Sequence, residues 1–225
     1  NRYLIFSHEL QSERATHIIL NYQYEVSDRI FRAEVYRKWY NNLLKFESEF
    51  NPDPASYSND GEGFAQGIDL FWRDSRTIPD LDYWFSYSFI RSERNYRDYP
   101  ERRVPSFISD HTFSAVAKYY WRRANAYAGL TYLHASPKRY YNPALPYAEG
   151  DMTKAYNDLS LNITWITPLF GSYCAFLLNI SNLPGFEQVY GYHYSPDPDA
   201  GGNYTLYPII PQSKRLIVIG GYFIF

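Results

Sequence analysis

Cysteine and methionine each occur once in 225 residues. The lone Cys174 excludes an internal disulfide framework, so redox chemistry points to no compartment. No run of about eighteen apolar residues exists, which excludes a transmembrane helix and leaves strands as the only means of crossing a bilayer. Charge is nearly balanced, at a formal net of -2, giving no electrostatic reason to expect nucleic acid as a partner. The histidines His8, His17, His111, His134 and His193 are scattered, and no spacing among them brings metal ligands onto one turn. No serine sits in a glycine-flanked elbow. No catalytic residue, metal site or cofactor is therefore assigned, and an enzyme is not expected. An initiating methionine and a basic-then-apolar leader are also lacking at Asn1, so the expectation is a processed piece or a fragment with any export signal lying upstream.

What the chain has in excess is aromatic surface. Twenty-five Tyr, fifteen Phe and five Trp make up 20% of it. Tyr and Trp suit a surface that is dry on one side and wet on the other, which favours an interface-rich β protein.

The final stretch, Lys214 to Phe225, sets the pattern. Read with period two, Ile217, Ile219, Gly221, Phe223 and Phe225 share one face, and an aromatic carboxy-terminus predicts an end held in an apolar layer. The same alternation recurs upstream. It predicts strands over Ala15–Val26, Arg29–Tyr40, Phe64–Arg73, Leu81–Arg91, His111–Trp121, Ala126–Ala135, a segment centred on Asp158–Trp165, and Ser172–Ser181. The clearest instance sets Leu159, Leu161, Ile163 and Trp165 against Asp158, Ser160, Asn162 and Thr164. Arg37 breaks the apolar side of its strand, and at a bilayer midplane it would cost roughly 2–4 kcal/mol, so it belongs near a rim. The other face carries Lys38, Asp69, Asp82, Lys118, Asp158 and Asn162, groups that line a wet lumen or pack on protein.

Connections alternate short and long. Ser27-Asp28, Asp74–Asp80, Arg122–Asn125 and the Pro168–Gly171 region are tight, whereas 41–63, 92–110, 136–154 and 182–213 are long loops. A soluble sandwich has no reason to gather every long loop at one end, but an outer-membrane barrel does, with tight turns in the periplasm and long loops outside. The fold class expected is an all-β, antiparallel, up-and-down transmembrane barrel forming a single region over 1–225. Its nine strands are an odd number, so either the first residues supply a tenth or a larger barrel has been cut in an outer loop.

The runs Glu13–Leu20, Gly67–Asp74, Tyr140–Pro143 and Val189–Ser195 resemble the carboxy-terminal barrel of TonB-dependent outer-membrane receptors, in the form common in Bacteroidetes. That resemblance covers nearly the whole chain and implies the last nine or so strands of a twenty-two-stranded, plugged barrel. It further implies uptake of a bulky solute such as a metal chelate, cobalamin, a glycan or a peptide. The partners implied are outer-membrane lipid, the remaining strands and amino-terminal plug of the same receptor, and TonB acting through that plug, which is not among these residues. The location implied is the bacterial outer membrane, with long loops extracellular and the carboxy-terminus at the periplasmic rim. Two other readings stay open: a complete ten-stranded surface barrel acting as an adhesin or structural protein, and a secreted soluble β domain binding glycans through its aromatics.

Candidate ligand-binding residues fall in the long loops. Arg91, Arg94, Tyr96, Arg97, Arg102 and Arg103 combine guanidinium forks with aromatic faces, which grip carboxylates and stack on sugars or chelates. Glu93, Asp98 and Glu101 lie between them, and an internally paired, solvated loop is the plainer account. Tyr140, Tyr141, Tyr190, Tyr192 and Tyr194 form the second group, for which a strand-like stem above the membrane is the plainer reading of the last three. Asp197–Gly201 resembles an acidic calcium loop only loosely, and a turn of solvated carboxylates is preferred.

Overall fold

Alternating apolar and polar side chains stand on opposite sides of an extended chain, so nine such segments in sequence pair most simply as one antiparallel sheet with two unlike faces. The computed structural model, which describes residues 10–47, 56–140, 151–169 and 171–224, has this form. Its strands are β1 (Arg14–Val26), β2 (Arg29–Lys45), β3 (Ser58–Asp74), β4 (Leu81–Asn95), β5 (His111–Trp121), β6 (Ala126–Ala135), β7 (Arg139–Tyr140), β8 (Asp151–Met152), β9 (Tyr156–Leu169), β10 (Ser172–Ser181), β11 (Gly191–Tyr194), β12 (Leu206–Ile209) and β13 (Leu216–Ile224). Nine of them make a single sheet in the order β1-β2-β3-β4-β5-β6-β9-β10-β13, every neighbour antiparallel. The remaining four form two small hairpins, β7–β8 and β11–β12, within the third and last long loops.

The register joins the apolar positions into one continuous face. Phe85, Ala115, Tyr132 and Leu159 lie in one row across β4, β5, β6 and β9. Leu130, Leu161, Ile180 and Ile217 form another across β6, β9, β10 and β13. Leu159, Leu161, Ile163 and Trp165 therefore belong to one side of a single wall and are not enclosed between two stacked sheets. Along the long-loop edge the band gives way to polar groups. Arg37, Gln66 and Arg91 are cross-strand partners there, as are His134 and Asn157. Arg37 thus sits at the margin, its guanidinium 5.2 Å from the Trp39 ring and 5.8 Å from Phe64.

The opposite face is wet and internally compensated. Arg73 makes a two-pronged bond to Asp82, at 2.8 and 2.9 Å. Lys118 lies 4.9 Å from the Trp84 ring, Lys38 5.1 Å from Tyr36, and Arg32 5.4 Å from Phe71. A row of small residues on β3 lets larger neighbours lie flat on this face. At Gly67 an added Cβ would stand inside contact distance of the Phe89 carbonyl oxygen and 2.5 Å from the Tyr36 hydroxyl.

All four short turns place a residue in the left-handed region that tight reversals need. These are Ser27 and Asp28 (φ 47° and 64°), Asp80 (64°), Asn125 (50°) and Gly171 (81°). Three of them also stitch neighbouring hairpins together, because the carbonyl at the bend turns outward. Asp28 accepts from Ser75 N–H at 3.2 Å, Asp80 from Tyr120 at 2.8 Å, and Asn125 from Ile166 at 3.1 Å. In the β3–β4 turn the Asp74 carboxylate accepts from the Arg76 and Thr77 N–H groups, both at 2.8 Å, and from Arg29 Nε at 3.1 Å.

Strands β5, β6 and β10 have the predicted limits. At the long-loop end three strands run further than expected. Residues 41–45 and 58–63, predicted as loop, extend β2 and β3, and residues 92–95 extend β4. Register shifts between Asn41 and Lys45, with Asn42 at φ 57°, bend β2 there. A tenth strand at the start is not found in residues 10–13, while residues 1–9, the middle of the first long loop (48–55) and Phe225 lie outside the described residues.

Candidate functional site

Because β2, β3 and β4 have 17, 17 and 15 residues, and a tilted span needs about 9–11, their upper ends project beyond the apolar band. They carry the first candidate group. Arg94, near the end of β4, exchanges backbone bonds with Arg103 at 2.8 and 3.0 Å, folding the loop back alongside the strand. Its guanidinium lies 4.3 Å from the Tyr40 ring and 5.6 Å from both Tyr96 and Phe107. Its Nε is buried and makes no hydrogen bond. Arg103 stands 4.9 Å from the Tyr99 ring, which meets Tyr96 edge-on at 5.2 Å. Burial pushes the Tyr99 phenol above its ordinary pKa.

The remaining arginines of this group do other work. Arg91 pairs with Glu93 at 3.0 Å, and Arg102 with Glu62 of β3. Arg97, at φ 52°, donates its N–H to the Leu44 carbonyl at 2.7 Å and accepts from Phe46 at 3.1 Å, which sews the loop onto β2. Ion pairing thus accounts for Arg91 and Arg102, whereas the Arg94 guanidinium stands among three rings and that of Arg103 lies near Tyr99. Cation–π contacts of this kind contribute about 0.5–2 kcal/mol, more as water is excluded.

The second group is built from the two hairpins. Tyr140 on β7 meets Tyr192 and Tyr194 on β11 with ring centroids 4.7 and 6.3 Å apart. Its hydroxyl donates to Asp151 on β8 at 3.3 Å. Desolvation, then the nearby Tyr194 and Asp151, push the Tyr140 phenol well up, so it stays a neutral donor throughout the physiological range. Tyr190 bonds to Gln188 at 3.3 Å and lies 6.1 Å from Tyr156, further down the stem. Beneath this platform is a cleft of about 280 Å³, lined by Lys138, Thr153, Lys154, Tyr156 and Tyr190 among others. Tyr141 lies outside the described residues.

The loops that carry the two groups meet in a backbone bridge between Ser109 and Lys138. Sequence reading missed Tyr40, Phe107, Asp151, Tyr156, Lys138 and Lys154. No local signal marks them, since each joins the site through pairing or loop closure at long separation. Asp199 accepts from the Gly201 and Asn203 N–H groups at 2.9 and 2.8 Å, which is turn chemistry.

Lys154 and Glu187 form an ion pair that ties the third long loop to the last. Bonding to the partner raises the Lys154 pKa and lowers that of Glu187. The lowered carboxylate gives a contribution present above its ordinary range and lost as pH falls through the folded value. The raised amine gives one present below its ordinary range and lost as pH rises through its folded value. The protection of amides at 153–156 and 187–190, each exchange rate taken relative to the intrinsic rate at the same pH, is therefore expected to be higher at neutral pH than in acid below the carboxylate range. Lys154→Gln should abolish that difference, and equal protection in wild type at both pH values would contradict the tether.

A family model described as TonB dependent receptor-like, beta-barrel, matches residues 4–183. The chain belongs to this TonB-dependent receptor family. Its wall is shared by solved receptors of low sequence identity, a likeness of fold alone. The ferric-catecholate import receptor Fiu of Escherichia coli aligns at 13% identity and TM-score 0.67, covering 96% of this chain and 28% of that one. The ferric yersiniabactin uptake receptor FyuA of Yersinia pestis aligns at 15% and 0.70, covering 95% and 30%. The FrpB iron transporter of Neisseria meningitidis aligns at 13% and 0.63, covering 95% and 32%. No curated protein matches significantly. The chain thus spans about a third of the length of these receptors, as an open nine-stranded part of a TonB-dependent receptor wall.

Proposed function

We propose that this chain forms part of the outer-membrane wall through which a TonB-dependent receptor captures and imports a bulky solute, with its long loops extracellular and the carboxy-terminal strand ending at the periplasmic rim. The observation that carries this reading is the division of the molecule. A continuous apolar face spans the wall, and an aromatic and cationic surface is concentrated in the loops at one end. The remaining wall, a plug and TonB complete the machine in this proposal. The chain itself supplies wall and capture surface, not a reaction. Tyr140, Tyr192 and Tyr194 offer ring faces to a planar or saccharide group, and Arg91 and Arg102, whose pairs are exposed, can exchange their carboxylate partners for those of a solute.

Uptake of labelled ferric chelates, cobalamin, oligosaccharides and peptides by cells carrying the complete receptor tests this. One class is expected to accumulate only when both the receptor and TonB are present. Tyr192→Ala should weaken its capture by roughly two- to tenfold, the worth of one ring contact, without lowering the amount of receptor in the membrane. Accumulation of every class indifferent to receptor and TonB would overturn the transport reading in favour of a passive surface protein.

A further inference from the structure

The apolar face is not uniformly filled. On β5 it carries two consecutive alanines, Ala115 and Ala117, between larger side chains. The register sets Phe85 and Tyr83 of β4 against them on one side and Tyr132 and Leu130 of β6 on the other. The result is a trough of about 310 Å³ running along β5. Toward the long-loop end it is stopped by Phe113, whose ring lies 6.4 Å from Phe85 and 6.3 Å from Tyr132. Toward the short-turn end it reaches Ile78, in the turn between β3 and β4. The space is therefore an open depression lined almost wholly by apolar side chains, between Phe113 and the short-turn end.

Charge is placed at the short-turn end. The β3–β4 turn contains Arg76 and the β5–β6 turn contains Arg122 and Arg123. Arg122 bonds to Asp80 at 2.5 Å, joining the two turns across the mouth of the trough. Among the described residues neither Arg76 nor Arg123 has an acidic partner, and both are exposed. An amphiphile with a straight apolar tail and an anionic head matches this layout at both ends.

We propose that the trough is a binding site for one acyl chain of an anionic phospholipid, its phosphate held by Arg123 and Arg76. The proposal rests on the reading of the apolar face as membrane-facing. It goes beyond general wetting by lipid because it names one position and a preference for head-group charge. Phosphate is favoured there since guanidinium forks bond it in two places, and a water-poor membrane boundary strengthens the attraction.

The test uses the complete receptor, purified in mild detergent, exchanged with phosphatidylglycerol and phosphatidylethanolamine, and examined by native mass spectrometry as detergent is raised. Wild type is expected to keep one phosphatidylglycerol after other lipid has been stripped. Ala117→Leu, which fills the trough from the membrane side, should lose it. The double variant Arg76→Gln with Arg123→Gln should lose the preference for phosphatidylglycerol over phosphatidylethanolamine. Ala33→Leu, on the same face but away from the trough, should bind as wild type does. Retention unchanged in Ala117→Leu, or equal loss in Ala33→Leu, would overturn the site. A receptor found in the soluble fraction of cells would instead defeat the membrane reading beneath it.

Discussion

Leu161→Arg is expected to destabilise the folded receptor in bilayers by about 2–4 kcal/mol, the cost of a guanidinium near the bilayer midplane. Leu161 lies midway along the apolar side of β9, four residues from the polar Asn157 at one edge and four from Trp165 at the other. Its cross-strand partners Leu130 and Ile180 are also apolar, so no neighbouring group can share the charge. A guanidinium there has neither water nor an acid to satisfy its five donors, and reaching an interface would take it past either Ile163 or Leu159. The next residue provides the control. Asn162 points to the wet face, beside Gly129 and Asn179, and Asn162→Arg should cost about 1 kcal/mol or less. Denaturant unfolding of the complete receptor in vesicles, followed by tryptophan fluorescence, measures both. Equal costs would mean that the two faces meet the same surroundings, and the wall would not be a membrane wall.

Gly67→Val acts on the other side of the sheet and through packing instead of solvation. The aromatic ring of Tyr36 lies over the bare backbone of Gly67, and the Phe89 carbonyl approaches from the opposite neighbour. Any Cβ must displace both. The ring can swing away at the cost of its contacts, but the carbonyl belongs to the paired backbone of β4 and moves only with the strand. Overpacking of this kind costs about 1–3 kcal/mol, occasionally more. Tyr36→Ala in the same molecule should recover part of the loss and not all of it, because it relieves only the side-chain share. Full recovery in the double variant, or a neutral single variant, would show that the strands have room to part.

These effects follow from features that differ in how plainly the sequence displays them. Strands β5, β6 and β10 were legible to the residue, because apolar alternation runs to both ends and turn chemistry begins at once. The upper parts of β2, β3 and β4 were not. Above the membrane band both sides of a strand meet water, so Asn41 to Lys45 and Ser58 to Gly63 lose the period-two contrast on which recognition depends. The bend at Asn42 obscures the pattern further. In the candidate site the tyrosine alternation of 190–194 was visible, whereas its contacts with Tyr140 and Asp151 depend on closure of two separate loops. The interleaved acids suggested that every arginine of 91–103 would find a carboxylate. Arg94 instead found Tyr40 and Phe107, an outcome set by how the loop packs and not by local charge order.

Asn182, 2% exposed and at φ 51°, holds the foot of the last long loop. Its amide donates to the Phe186 and Lys214 carbonyls, each at 2.8 Å, and accepts the Phe186 N–H at 2.9 Å. Arg215 adds a bond to the Pro184 carbonyl at 2.9 Å. The thirty-odd residues in between therefore leave and re-enter the wall through a clasp of fixed width. Insertions, deletions or wholesale replacement between 188 and 213 can change the loop without transmitting strain to β10 or β13, so this segment can drift over evolutionary time on an unchanged frame.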